Sequence, residues 1–232
     1  MRNNIQILCT RSLDEQLIEE AANKGIDIDV LCFIDTEPIE SVEVQQEVEV
    51  VLNASATVVF TSMNAVEAVQ ETVIDEQPAW MIYCIGNTTQ QLVKKYFPFS
   101  EIMGTADSAV ALAELIVSDP EVKEVVFFCG DIRREELPNH LREHGIEVNE
   151  IVVYQTIALQ HKIEKEYLGI LFFSPSAVES FFTKNKIKTT TILFAIGSTT
   201  ASAIKKFTGN KILVAEQPGK EYLVAKMIEY FT

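Results

Sequence analysis

The chain repeats part of itself, and the repeat limits the folds open to it. Phe60-Thr61-Ser62-Met63-Asn64-Ala65-Val66-Glu67 reappears as Phe172-Phe173-Ser174-Pro175-Ser176-Ala177-Val178-Glu179. Ile85-Gly86-Asn87-Thr88-Thr89 reappears as Ile196-Gly197-Ser198-Thr199-Thr200, and Lys94-Lys95-Tyr96 as Lys205-Lys206-Phe207. The Ser turn and the Thr-Thr turn each follow a short apolar run and precede a helical pattern. Two similar α/β domains are therefore expected. A length of 232 residues agrees, because it exceeds one core of roughly 100–150 residues.

The remaining segments alternate in the same way. Residues 5–9 read as a buried strand ending at Thr10-Arg11. Ser12 can cap the helix that follows, with Glu15 as its capping-box partner and Gly25 as its stop. Residues 28–33 form the next strand, and 34–38 depart from the regular pattern. The apolar run 125–128 breaks at Cys129-Gly130. Asp131 can cap a helix reaching His144, Gly145 stops it, and a β-rich run over 151–156 includes Tyr154. Continuous apolar strands between helices argue parallel sheets covered on both faces.

In such sheets the strand C-termini and the following helix N-termini share one edge, where ligands bind. If the two domains face each other, one cleft collects all four Ser and Thr turns. Hydroxyls and unpaired N–H donors there suit carboxylates. Plain helix capping accounts for the same residues, and the two roles are compatible.

Charge narrows the partners. The net charge of −15 argues against nucleic acid or an anionic membrane surface, both of which favour a basic face. It leaves room for a small anion held by uncharged donors. No apolar run reaches the roughly 18–20 residues that cross a bilayer, and the first residues carry no secretory pattern. Cys9, Cys32, Cys84 and Cys129 lie in or beside apolar runs without C-x-x-C spacing, so buried reduced thiols and a cytoplasmic location are expected. His140 and His144 share a helix face, but no third metal ligand accompanies them.

The turns also carry a family pattern. The chain resembles uroporphyrinogen-III synthases in Thr10-Arg11 before the first helix, in F-T-S-x-N-A-V at 60–66 and in I-G-x-x-T at 85–89. It resembles them further in G-x-x-R-R/K-E at 130–135, V-Y-x-T at 153–156, F-x-S-P-S-A-V at 172–178 and I-G-x-T-T-A at 196–201. Ser12 stands where many members carry proline.

The resemblance implies two flavodoxin-like α/β domains with parallel sheets, joined by a two-stranded linker. The first domain is then discontinuous, 1–34 plus 159–232. The second is 39–151, and 35–38 and 152–158 are the linker strands. The implied activity is a hydro-lyase reaction in tetrapyrrole (haem) biosynthesis. Linear hydroxymethylbilane closes to uroporphyrinogen III with inversion of ring D and loss of water. The terminal hydroxyl leaves to give an azafulvene cation, and the substituted carbon of ring D attacks it. The resulting spiro intermediate fragments and recloses. No cofactor or metal is implied. The expected partner is a polycarboxylate tetrapyrrole, with no nucleic acid and no membrane, and the protein is expected to act as a monomer.

On this reading Tyr154 is the catalytic candidate. Its phenol can protonate or position the departing hydroxyl, and with a free pKa near 10 it contributes a factor of roughly 10–100. The alternative is a linker tyrosine that only packs. Arg133 and Arg134, at an expected helix N-terminus, either meet an anion or pair with nearby carboxylates. Arg11 poses the same choice. Ser62, Asn64, Thr88, Thr89, Arg134, Ser174, Ser176, Thr199 and Thr200 complete the expected substrate-binding set with Arg11. Without the resemblance, the repeat and the turns fit a two-domain binding or sensory protein equally well.

Overall fold

The structure is a computed structural model and describes residues 5–73, 77–217 and 219–232. In chain order the elements begin with β1 (Ile5–Cys9), α1 (Glu15–Ala22), β2 (Ile26–Val30), β3 (Ile34–Pro38), α2 (Val42–Leu52), β4 (Thr57–Phe60) and α3 (Met63–Glu71). Next come β5 (Met81–Ile85), α4 (Asn87–Tyr96), β6 (Glu101–Ala106), α5 (Ala109–Val117), β7 (Glu124–Gly130), α6 (Glu136–Glu143) and β8 (Glu147–Ala158). The chain continues through β9 (Gly169–Phe172), α7 (Pro175–Lys184), β10 (Ile192–Ala195), α8 (Ser198–Lys205), β11 (Ile212–Val214) and α9 (Lys220–Phe231). No helix among the described residues is long and apolar enough to cross a membrane. The chain divides into two compact units, Met1–Asp35 with Ile157–Thr232, and Thr36–Thr156.

The first unit is built on a five-stranded sheet in the order β11-β10-β9-β1-β2, parallel throughout. This is the flavodoxin-like 2-1-3-4-5 order. Its central strands β9 and β10 and the second half of β1 are apolar on both sides because both sides are covered, whereas β2 at the edge alternates Ile with Asp. Ile7, Cys9, Leu171 and Phe194 pack with α1 and α9. Leu8, Ile170, Phe172 and Leu193 pack with α7 and α8. Each fully buried side chain of this kind stabilises the fold by about 1.5–3 kcal/mol before entropy is counted.

The second unit carries a six-stranded sheet, β3-β8-β7-β4-β5-β6. From β8 to β6 the strands are parallel. β3 lies at the edge beside β8. Ile39 N–H donates to Val153 O while Leu159 N–H donates to Phe33 O, so the partners run in opposite directions and this pair is antiparallel. Helices α2, α3 and α4 cover one face, and α5 and α6 cover the other.

Without β3, the order β8-β7-β4-β5-β6 matches β2-β1-β9-β10-β11 position for position. The sequence echo falls on β4 and β5 in one unit and on β9 and β10 in the other. The two copies differ in where the chain enters. The counterparts of β1 and β2, namely β7 and β8, follow β6 in one unit, whereas β1 and β2 precede everything else in the other.

Several expectations change. Helix α1 starts at Glu15 with Asp14 at its N-cap, not at Ser12, and no side chain caps it. Leu13 packs into the apolar cluster of α1 and α9, which keeps residues 12–14 outside the helix. Helix α6 starts at Glu136 rather than beside Asp131. Residues 34–38 form a regular strand, and β8 is longer than the expected 151–156 run.

Trp80, the chain's single tryptophan, is 1% exposed. Its indole N–H donates to Val51 O at 2.9 Å, and its ring lies 5.3 Å from Phe97 and 5.8 Å from Phe128. Trp80→Phe loses that bond and leaves a void. It should cost about 1–3 kcal/mol, read as a lower urea midpoint by circular dichroism.

Candidate functional site

In the second unit the helices after β4 and β7 depart to opposite faces of the sheet, which opens a crevice between the carboxyl ends of those adjacent strands. On one side Ser62 is the extended N-cap of α3, and its Oγ accepts from Asn64 N at 3.2 Å. That bond uses a lone pair and leaves the hydroxyl proton available. Asn64 sits half-buried on the first turn. One strand along, α4 starts from Gly86, whose φ of +67° only glycine adopts without strain. No side chain caps α4, so its first-turn N–H groups have no partner within the helix. Thr88 is exposed and Thr89 is buried.

On the other side of the crevice a register shift places Tyr154. Cys129 pairs with Val152 but Gly130 pairs with Tyr154, so Val153 is an extra residue in β8. The bulge turns both Val153 and Tyr154 toward the cluster that lines the α3 face. The tyrosine ring then lies across Gly130. A Cβ on that glycine would meet Tyr154 Cζ at 2.5 Å and Oη at 2.8 Å. Tyr154 is half-buried, and no hydrogen bond to its hydroxyl occurs among the described residues. A phenol with a free O–H beside a crevice can donate a proton to a bound leaving group.

The segment before α6 departs from the sequence-based expectation. Asp131 caps no helix. Its N–H donates to Tyr154 O at 3.1 Å, and its Oδ1 accepts from Ile132 N at 2.8 Å and from Thr156 N at 2.9 Å. Arg133 and Arg134 precede the helix, so the macrodipole argument for an anion at these residues lapses. Arg133 is bound by Glu150 and lies 3.6 Å from Glu135. Arg142 reaches the other Glu150 oxygen at 2.6 Å. Arg134 is 79% exposed and only 3.9 Å from Glu136, which leaves it available to a ligand. Burial pushes the Glu150 carboxyl up, but the two guanidinium groups outweigh this and hold it below the usual carboxylate range. Burial likewise pushes the Cys129 thiol up to about 12, so it is no nucleophile at neutral pH.

The first unit has the corresponding edge at β1 and β9. Thr10 O–H and N–H both donate to Leu171 O, at 2.8 and 3.1 Å, tying the two strand ends together. Arg11 follows, exposed. Ser174 caps α7 by accepting from Ala177 N at 3.2 Å, and its Oγ lies 3.1 Å from Ser176 Oγ. Gly197 precedes α8 with no side-chain cap. Thr199 is exposed and Thr200 is buried, as in the other Thr pair.

The strand–helix junctions of each unit's carboxyl edge thus carry its own candidates: Ser62, Asn64, Thr88, Thr89 and Arg134 with Tyr154 on the neighbouring β8 in one unit, and Arg11, Ser174, Ser176, Thr199 and Thr200 in the other. Capping holds for Ser62 and Ser174. Gly130 and the clasp made by Asp131 had escaped sequence reasoning, because only the register brings Tyr154 over that glycine. Pockets around Tyr167 and Lys188, and around Val44 and Val153, lie away from these edges and contain none of the candidate residues. Among the described residues no group of three or more His, Cys, Asp or Glu side chains is placed to hold a metal ion.

Two flavodoxin-like units, each with a donor-bearing carboxyl edge, define a two-domain α/β protein. The sequence profile of the family described as uroporphyrinogen-III synthase HemD matches residues 15–225, and the chain belongs to that family. A curated relative, the uroporphyrinogen-III synthase of Saccharomyces cerevisiae, is 30% identical over 122 residues. That match spans 45% of this chain and 44% of the yeast protein, less than half the length of either. The crystal structure of uroporphyrinogen-III synthetase from Helicobacter pylori shares the fold with a TM-score of 0.69. Its sequence identity is 19%, with 97% of this chain and 99% of that one covered. A mutant uroporphyrinogen III synthase from the extremely thermophilic bacterium Thermus thermophilus gives a TM-score of 0.62 and 16% identity, covering 98% and 97%.

The Glu150 cluster sets a pH test. Its folded-state pKa is depressed, so its stabilisation is present above the unfolded value and lost as pH falls through the folded one. Wild type should exceed Glu150→Gln by about 1–2 kcal/mol at pH 7. The gap should begin to close below about pH 4.3, followed by urea unfolding across pH.

Proposed function

We propose that the protein closes hydroxymethylbilane to uroporphyrinogen III, inverting ring D and releasing water. Family membership supports the reaction. The observation that carries the mechanism is Tyr154, its hydroxyl unpartnered among the described residues, lying over Gly130 beside the β4–β7 crevice.

The terminal hydroxyl departs as water after taking a proton from Tyr154 O–H, and an azafulvene cation is left on the substrate. The substituted carbon of ring D attacks that cation, and the spiro intermediate fragments and recloses at the ring's unsubstituted carbon, whose proton returns to the Tyr154 oxygen to give the neutral, inverted product. A phenol is a weak acid, so it accelerates departure without being indispensable.

The substrate's carboxylates are held largely by uncharged groups. First-turn N–H groups of α4 and α8 and the Ser62 and Ser174 hydroxyls donate, with the exposed Thr88 and Thr199 beside them. Asn64 and Ser176 supply further polar contacts. Thr89 and Thr200, being buried, contribute mainly through their backbone. Arg11 and Arg134 are the cations of these edges that we assign to the substrate, because Arg133 is committed to Glu150. Such donors suit a protein of net charge −15, whose general field repels anions. Four free thiols support a cytoplasmic setting.

Purified protein given hydroxymethylbilane should form the type III isomer above the spontaneous type I background. Tyr154→Phe should lower kcat by about 10–100-fold with KM within about twofold. A type I product alone would remove the catalytic reading and leave a binding protein in its place.

A further inference from the structure

We propose that Asp131 is a positioning residue for Tyr154, clasping β8 at the tyrosine's own carbonyl and again two residues on, at Thr156 N, and so holding its ring across Gly130. The proposal rests on the catalytic reading of Tyr154. The bulge at Val153 interrupts the ladder between β7 and β8, and β7 ends at Gly130. Beyond that point β7 has no further strand residues to hold the end of β8. Asp131 takes over the ladder's task. Its N–H donates to Tyr154 O, and its Oδ1 accepts from Thr156 N, two residues on. The bond from Ile132 N to the same Oδ1 fixes the carboxylate's own direction.

The other readings of Asp131 fail on position and charge. It is too far from α6 to cap it, since that helix begins at Glu136. It is an exposed carboxylate at an edge assigned to an anionic substrate, in a chain already at −15, so its charge opposes binding. What the site uses is the acceptor oxygen. Asparagine keeps that oxygen and removes the charge, which separates the two effects.

The test combines steady-state kinetics on hydroxymethylbilane with the 19F resonance of 3-fluorotyrosine placed at position 154. Asp131→Ala should shift or broaden the resonance and lower kcat about tenfold, since small misplacements of a catalytic group carry large rate penalties. Asp131→Asn should restore both and lower KM. In a Tyr154→Phe background, Asp131→Ala should cost less than about twofold, because the two changes act through one group. If Asp131→Ala does not fold, Asp131→Ser, too short to span to Thr156 N, carries the same expectations. An unmoved resonance in the Ala or Ser variant overturns the proposal, as does an Asn variant as impaired as Ala. If Tyr154→Phe keeps full kcat while the resonance still responds to Asp131→Ala, the catalytic reading of Tyr154 falls and the clasp stands.

Discussion

Each sheet has its central parallel strands buried on both faces, and this one constraint organises the protein. Parallel strands need crossovers, and the helices that supply them must cover both faces. Each parallel strand that leads into a helix then ends on the edge where that helix begins. Ser62, Gly86, Asp131, Ser174 and Gly197 occupy these junctions. The chemistry concentrates there because helix starts carry N–H groups that the helix itself leaves unsatisfied.

The edges of this acidic protein carry mostly uncharged donors. A net charge of −15 gives no long-range attraction for anions, and the donors at these edges are short-range and directional instead. The exposed member of each Thr pair faces solvent while its neighbour is buried, so the helix start is anchored and presented at once. Arg133 illustrates the opposite use of charge. Held by Glu150 together with Arg142, it braces the segment before α6 against β8 rather than meeting solvent. Two guanidinium groups on one partly buried carboxylate offset its desolvation, which a single exposed pair does not.

Much of the fold was legible because it rests on local chemistry. Ser62 and Ser174 precede helices and cap them. Gly86 stands at a helix start where φ is positive. The echo between 60–67 and 172–179 falls on equivalent strand–helix junctions. Where local signals compete, the structure departs from them. Ser12 and Asp131 are both good cap residues that cap nothing. Leu13 is drawn into the core ahead of α1, and the Asp131 carboxylate meets the amides of Ile132 and Thr156 instead.

Residue order by itself determined that this chain makes two related α/β units, because apolar runs with no polar side must be covered on both faces. It also determined which junctions bear hydroxyls and amides. Tertiary structure alone decided what Tyr154 touches. A one-residue shift between β7 and β8 turns that ring over Gly130, and pairing register depends on contacts between segments that the linear order does not contain.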